Sequence, residues 1–241
     1  TWMETFQNPS IFMQFNHFGY YLCLVTMAFG ALFMAEEKSG LIAWLWLAGF
    51  ALASAALVLN SAIGPVVAVV GGLILGGVFY SVQDRQNPGQ GIFRRTLISA
   101  AVFILVAVVV NVAVGFLGRD LAQLSSDIGN IARGSDKAQS AGSGRWLLWQ
   151  NGARFAWEKP LFGYGPDNLG ARYAVSTASF SDRPHNELIQ IAASLGIPAM
   201  LFYLSGLIAH LKLFLTLHQR LDRLTIGIFA MIGAYLISSL F

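Results

Sequence analysis

Charge is what this sequence has least of. Only 11% of its 241 residues are Asp, Glu, Lys or Arg, while 56% are hydrophobic; an ordinary soluble domain carries about 25% charge. So few charges cannot cover a water-facing surface, which excludes the soluble globular class and points to a membrane protein. Between Lys38 and Asp84 there is no charged residue at all, a stretch long enough to cross a bilayer twice at roughly 20 residues per span. Cysteine is equally scarce. Cys23 stands alone inside an apolar run, so neither a disulfide framework nor a cysteine-based metal site is available. The four histidines form no HExxH, and there is no Walker loop and no DxD-like carboxylate pair to hold a divalent ion against a nucleotide sugar. The stretch GYGPDNLG at 163–170 has three glycines but lacks the strand context of a dinucleotide site. No cofactor, metal or nucleic-acid partner is called for. The N-terminus lacks the basic region and small-residue cleavage site of a signal peptide. The final run, LTIGIFAMIGAYLISSLF, ends without a polar anchor, so the chain reads as a piece of a longer protein.

Against these absences stand six apolar segments of spanning length, at about 19–35, 41–59, 62–80, 96–118, 187–210 and 224–241. The expected fold is all-α, a polytopic membrane helix bundle in three parts. Residues 1–118 carry four spans, 119–186 form a large extracytoplasmic, partly helical loop, and 187–241 carry two more spans. LNSAIGP at 59–65 supplies the residues for a tight turn between the second and third spans. Orientation follows from arginine and lysine in short loops. Arg85, Arg94 and Arg95 in one connection, and Lys212, Arg220 and Arg223 in another, place both on the cytoplasmic side. Alternation adds the EEKS stretch at 36–39 to that side and puts residues 119–186 outside, at the periplasmic or exterior face of a cytoplasmic membrane.

The outer loop has its own order. Leu121, Leu124, Ile128 and Ile131 follow helical spacing, so a helix with one apolar face begins it. A flexible Gly/Ser-rich stretch, GSDKAQSAGSG, follows. RWLLWQNGARFAWEKP then places Trp146, Trp149, Ala153, Ala156 and Trp157 near one helix face, suited to the lipid headgroup level. Pro160 ends that helix. Gly163, Gly165 and Pro166 suit a tight turn with close backbone approach.

Residues 119–186 hold eight basic and six acidic side chains, a balance that any solvated loop would show. Position is more informative. Arg145 opens the Trp-rich helix, Arg154 lies further along it, and Arg183 stands just before a span. An arginine fork there suits phosphate or pyrophosphate oxygens; for Arg154 and Arg172 in particular, headgroup snorkelling explains the position as well. His185 has two readings. It is either a structural residue at a helix start or a general base, since imidazole with a pKa near ~6.5 accepts a proton at neutral pH. Asn186 either orients a substrate or caps the following helix, and Glu187 supplies favourable charge at that helix's N-terminus. His17, flanked by aromatics, is read as an interfacial anchor, and His210 and His218 carry no assigned chemistry.

Two stretches, GRWLLWQNGARFAWEKPLFGYGPDNLGARY and RPHNELIQIAASLGIPAMLFYL, resemble the O-antigen ligase and Wzy polymerase family of bacterial membrane glycosyltransferases. In that family an arginine opens a segment ending in a Pro-Leu-x-Gly-x-Gly turn, and a His-Asn pair begins the next span with a glycine about ten residues on. The matching positions are Arg145, Pro160, Leu161, Gly163, Gly165, His185, Asn186 and Gly196. The resemblance implies transfer of a glycan from an undecaprenyl-pyrophosphate donor to a glycan, lipid or protein acceptor, among membrane lipids and without a metal ion. His185 would be the catalytic base and Arg145 a pyrophosphate ligand. Where many ligases have a Ser-Arg pair, this chain has Ser61-Ala62, so Arg183 or Arg172 would have to supply the missing charge. Ligase, polymerase and protein oligosaccharyltransferase all stay open. A non-catalytic transporter or scaffold is the alternative from another class, and it fits less well because no span carries an ionisable residue at its centre.

Overall fold

A computed structural model describes residues 15–38, 40–86, 92–134, 140–142, 144–177, 183–217 and 222–240. His218, Arg220 and residues 135–139 and 143 of the Gly/Ser-rich stretch lie outside them. The described residues contain no strand. Their helices are, in order, α1 Phe15–Ala35, α2 Leu41–Leu59, α3 Ile63–Gln86, α4 Ile92–Val114, α5 Phe116–Ala132, α6 Arg145–Glu158, α7 Leu169–Thr177, α8 Glu187–Leu195, α9 Ile197–Leu217 and α10 Arg223–Ser238. The expected polytopic helical membrane bundle is what is found.

Five helices are long and apolar enough to cross a membrane, namely α1, α2, α3, α4 and α9. The sixth expected span, α10, is an apolar helix of only 16 residues. A second departure concerns the span expected over 187–210. It is broken at Gly196 into α8 and α9, and the membrane-length piece begins at Ile197 and runs on to Leu217. Gly196 has φ 95°, which no helix accommodates, and Pro198 has no N–H to continue a ladder but is tolerated in the first turn of α9. Likewise Gly115, at φ 72°, stops α4 before residue 118, and α5 begins at once.

The chain divides into two compact units, Thr1–Asp120 with Leu217–Ser238, and Leu121–Thr216 with Ser239–Phe241. In the first, α1 packs on α2 and α10, and α3 packs on α4 and α10. Small residues allow the close approach that membrane helices use in place of a hydrophobic driving force. A Cβ on Gly72 would lie 2.8 Å from Ala234 Cβ, and one on Gly227 would lie 2.5 Å from Ala31 Cβ. Ser61, at φ 57°, closes the tight turn between α2 and α3. Arg95 donates to the carbonyls of Phe33 and Glu36 and, at 3.4 Å, of Lys38, satisfying acceptors that the end of α1 leaves open. Tyr80 donates to the Arg223 carbonyl at 2.7 Å. The 36–38 turn, the start of α4 and the start of α10 therefore share one end of this unit. The outer face of α4 shows Leu97, Ile104, Leu105, Val108, Val109 and Val112, a surface suited to lipid contact.

In the second unit α6 packs against α7 and α8 around Leu148, Phe155, Ala156, Leu169, Tyr173, Ala192 and Ala193.

Candidate functional site

The buried face of α6 is Leu148, Gly152, Phe155 and Ala156. Of the residues expected together on one face, Ala153 and Trp157 are exposed, Trp146 and Trp149 are half-buried, and Ala156 departs from them by turning to the buried face. Gly152 sets the contact with the next element. A Cβ there would lie 2.5 Å from Ile189 Cγ2, 2.6 Å from the Tyr173 hydroxyl and 3.4 Å from Pro184 Cβ, so α6, α7 and the start of α8 converge on this glycine. The Tyr173 hydroxyl donates to the Leu148 carbonyl at 3.0 Å. Its ring packs on Phe155 at 5.2 Å between centroids with the planes at 69°, an edge-to-face geometry favoured by aromatic quadrupoles. Burial raises the Tyr173 pKa well above the ordinary phenol range.

The turn after α6 caps the far end of α8. Tyr164 N–H donates to Ala193 O at 2.9 Å, Gly165 N–H to Ser194 O at 2.8 Å, and Ile197 N–H to Pro160 O at 2.8 Å. Two of these acceptors are last-turn carbonyls that a helix leaves without partners. The approach is so close that a Cβ on Gly163 would fall on the Ser194 carbonyl group, and a Cβ on Gly196 on that of Leu161. Both glycines also have positive φ, 63° and 95°.

At the start of α8, Pro184 is fully buried and His185, half-buried, has φ 54°. Left-handed backbone is uncommon for a residue with a side chain, though histidine enters it more often than most. Asn186 follows as the N-cap: its Oδ1 accepts from Ile189 N–H at 3.1 Å, and its Nδ2 donates to Leu240 O at 3.2 Å. Glu187 N–H donates to Ser239 O at 3.1 Å. Two further ties thus hold the residues immediately after His185.

These contacts order the candidate residues. Because Gly152 meets Ile189 while the segment after α6 meets residues 193–197, α6 and α8 run in the same direction. Arg145 is seven residues before Gly152, on the same helical face and ~10 Å back along the axis. Helical side chains lean toward the N-terminus, so half-buried Arg145 extends from the end of the pair where Arg183, His185 and Asn186 stand. Arg183 is exposed there.

Arg172 is not brought to that group. It donates to Glu158 Oε2 at 2.9 Å and to the Tyr164 hydroxyl at 3.1 Å, and its guanidinium lies 4.9 Å from the Tyr164 ring centroid and 5.6 Å from that of Phe155. Glu158 is thirteen residues beyond Arg145, ~20 Å along α6. Arg154 also bonds Glu158, at 2.9 Å, and the Tyr164 hydroxyl donates to it at 2.5 Å. The Glu158 and Tyr164 roles were not read from sequence. The i,i+4 spacing of Arg154 and Glu158 was a visible signal, whereas Tyr164 and Arg172 reach Glu158 only through the turn and α7.

The Tyr164 hydroxyl, followed by Arg154 and Arg172, holds the Glu158 carboxyl below its ordinary value of 4.5, and the same bond raises the Tyr164 hydroxyl. A depressed carboxyl pKa adds stability that is present above the ordinary value and is lost as pH falls through the depressed one. The protection factors of amides across residues 158–173, which remove the intrinsic pH dependence of exchange, are accordingly expected to stay level from neutral pH down to that ordinary value and to fall below it. Glu158→Gln should show low protection throughout, without the acid step; an acid step retained in this variant would assign the effect to another group.

Among the described residues, no three His, Cys, Asp or Glu side chains are grouped to hold a metal ion. A protein-family model described as O-Antigen ligase matches residues 48–204, well over half of the chain. Neither a curated protein nor a solved structure gives a match.

Proposed function

Since the chain belongs to the O-antigen ligase family, and is in general terms a membrane glycosyltransferase of the ligase type, we propose that it transfers a glycan from an undecaprenyl-pyrophosphate donor to an acceptor hydroxyl, at the outer leaflet of the bacterial cytoplasmic membrane and without a metal ion. The observation that carries this reading is His185, turned into left-handed backbone between a buried proline and a helix-capping asparagine. Strain of this kind persists where the surroundings over-determine it, and it clusters at functional sites.

In the proposed reaction the His185 imidazole accepts the proton of the acceptor hydroxyl. The freed oxygen attacks the anomeric carbon, the bond from that carbon to the pyrophosphate oxygen breaks, and the electron pair leaves with the lipid pyrophosphate. Attack opposite the leaving group inverts the anomeric centre. Arg145 and Arg183 stabilise the charge that develops on the departing pyrophosphate, as preorganised donors aimed at developing charge do. Asn186 is a positioning residue, holding the turn that presents His185. Arg172 braces the opposite end of α6 through Glu158. A donor already confined to the membrane needs little beyond orientation, charge neutralisation and removal of one proton.

The test is the surface-glycan pattern of a strain lacking the full-length protein, complemented with wild type or with Arg145→Lys. Lipid-linked polymer accumulating with no attachment identifies a ligase, and single repeats without long chains identify a polymerase. Arg145→Lys should complement poorly, because an ammonium cannot reproduce a bidentate fork. An unchanged pattern in the deletion strain would overturn the reading.

A further inference from the structure

The turn that caps α8 carries a tip whose side chains are left exposed among the described residues. Trp157 is 76% exposed, Leu161 64% and Phe162 83%. Three large apolar groups within six residues form a surface that soluble proteins avoid unless something docks on it. What docks is indicated by the backbone. Ile197, the first residue of the membrane-length helix α9, donates to Pro160 O at 2.8 Å. Gly196 presses against the Leu161 carbonyl and the Phe162 amide so tightly that a Cβ would not fit. The tip is therefore fastened to the residues where α9 enters the bilayer. Further along, α9 exposes Leu201, Phe202, Ile208 and Leu211, as a lipid-facing span does. Charge agrees with the location. Arg154, with a side chain 69% exposed, and exposed Lys159 flank the tip, and cations beside an apolar face match the phosphates above the hydrocarbon boundary.

We propose that Trp157, Leu161 and Phe162 form a membrane-docking tip that seats in the headgroup–acyl boundary of the leaflet that α9 enters. The lipid surface is its partner. Seating it there sets the height of the α6–α8 pair above the hydrocarbon, because the turn, α8 and α9 are joined by backbone hydrogen bonds and two close glycine contacts rather than by a flexible link. This inference rests on α9 being a span and not on the transfer chemistry, so it stands or falls separately.

The experiment uses the full-length protein with Cys23 replaced by Ala, a single cysteine in turn at Phe162 or Leu161 carrying a nitroxide, and reconstitution in phosphatidylcholine/phosphatidylglycerol nanodiscs. Labels at Ser176, exposed on α7, and at Phe202, on α9, serve as aqueous and acyl references. The accessibility to oxygen relative to a water-soluble nickel chelate should be severalfold higher at 161 and 162 than at 176, and close to or below that at 202. Two results would overturn the proposal. Labels at 161 and 162 that behave like the one at 176 place the tip in water. Labels immobilised and shielded from both reagents place it beneath protein.

Discussion

His185→Asn in the full-length protein is expected to lower glycan transfer by about 10²–10⁴-fold, the range a positioned general base contributes, while leaving folding and membrane insertion unchanged. The choice of Asn matters. His185 sits at φ 54°, and Asn is among the few residues that enter the left-handed region readily. His185→Ala removes the base as well but adds backbone strain, so a loss of activity in that variant alone would mix two causes. Comparing the two separates them: equal losses mean that the imidazole is what counts, and a loss confined to the alanine variant means that the turn is. Transfer is best measured with purified protein and lipid-linked glycan, alongside thermal unfolding in detergent. Near-wild-type transfer by a well-folded asparagine variant would remove His185 from the mechanism.

Gly196→Ala is expected to produce, with Gly163→Ala, one of the two largest structural losses from adding a methyl group to a described glycine, since both meet backbone at positive φ. Gly196 has φ 95° and ψ 162°, a region essentially reserved for glycine that costs a residue with a Cβ on the order of 1–3 kcal/mol, and here the added carbon also falls on the Leu161 carbonyl and close to the Phe162 amide. Backbone cannot rotate aside as a flexible side chain does. A destabilisation of about 3 kcal/mol or more is therefore expected, in the range reserved for clashes and lost networks. The damage should begin locally, as separation of the Pro160–Gly165 turn from the end of α8, because the hydrogen bonds from Tyr164, Gly165 and Ile197 all require that approach. Limited proteolysis near Phe162 and the thermal midpoint report the two levels. Gly206→Ala, with no neighbouring atom within 4 Å of its Cβ position, is the matched control and should be near neutral. Equal stability of the Gly196 and Gly206 variants would mean that α8 and α9 separate without cost.

Much of the bundle was legible because a bilayer restricts the solutions so strongly. Every backbone group within lipid must find its partner inside its own helix, so an uncharged run such as Leu41–Leu59 has one outcome, and residues rich in Gly and Asn between two such runs mark the turn. The same logic failed over 187–210. Apolar composition alone reads straight through Gly196, whereas the break there depends on the turn after α6 occupying the place where α8 would continue. Hydropathy has no knowledge of a neighbour twenty to forty residues away.

The candidate residues divide in the same way. The order Arg145, Gly163, Gly165, His185, Asn186 and Gly196 lies in the sequence and carried the family resemblance. Asn186 as an N-cap is local chemistry, readable from an asparagine before Glu187 and an apolar run. Arg172 shows the opposite case. As a charge in an outer loop it was interchangeable with Arg183, and only the packing of α7 against α6 turned its guanidinium onto Glu158, Tyr164 and Phe155.

By itself, then, the amino-acid order determined a helical membrane protein, the approximate limits of most of its helices, and the set of residues from which a site is drawn. Those properties depend on transfer of side chains from water and on neighbours within one or two turns, which act on any chain of this composition. Tertiary structure decided where the last long apolar run breaks, which arginines share an end of α6 with His185, and which apolar side chains are left for lipid. Those outcomes depend on backbone carbonyls and glycines far apart in sequence coming within bonding distance, and no local pattern specifies such a meeting.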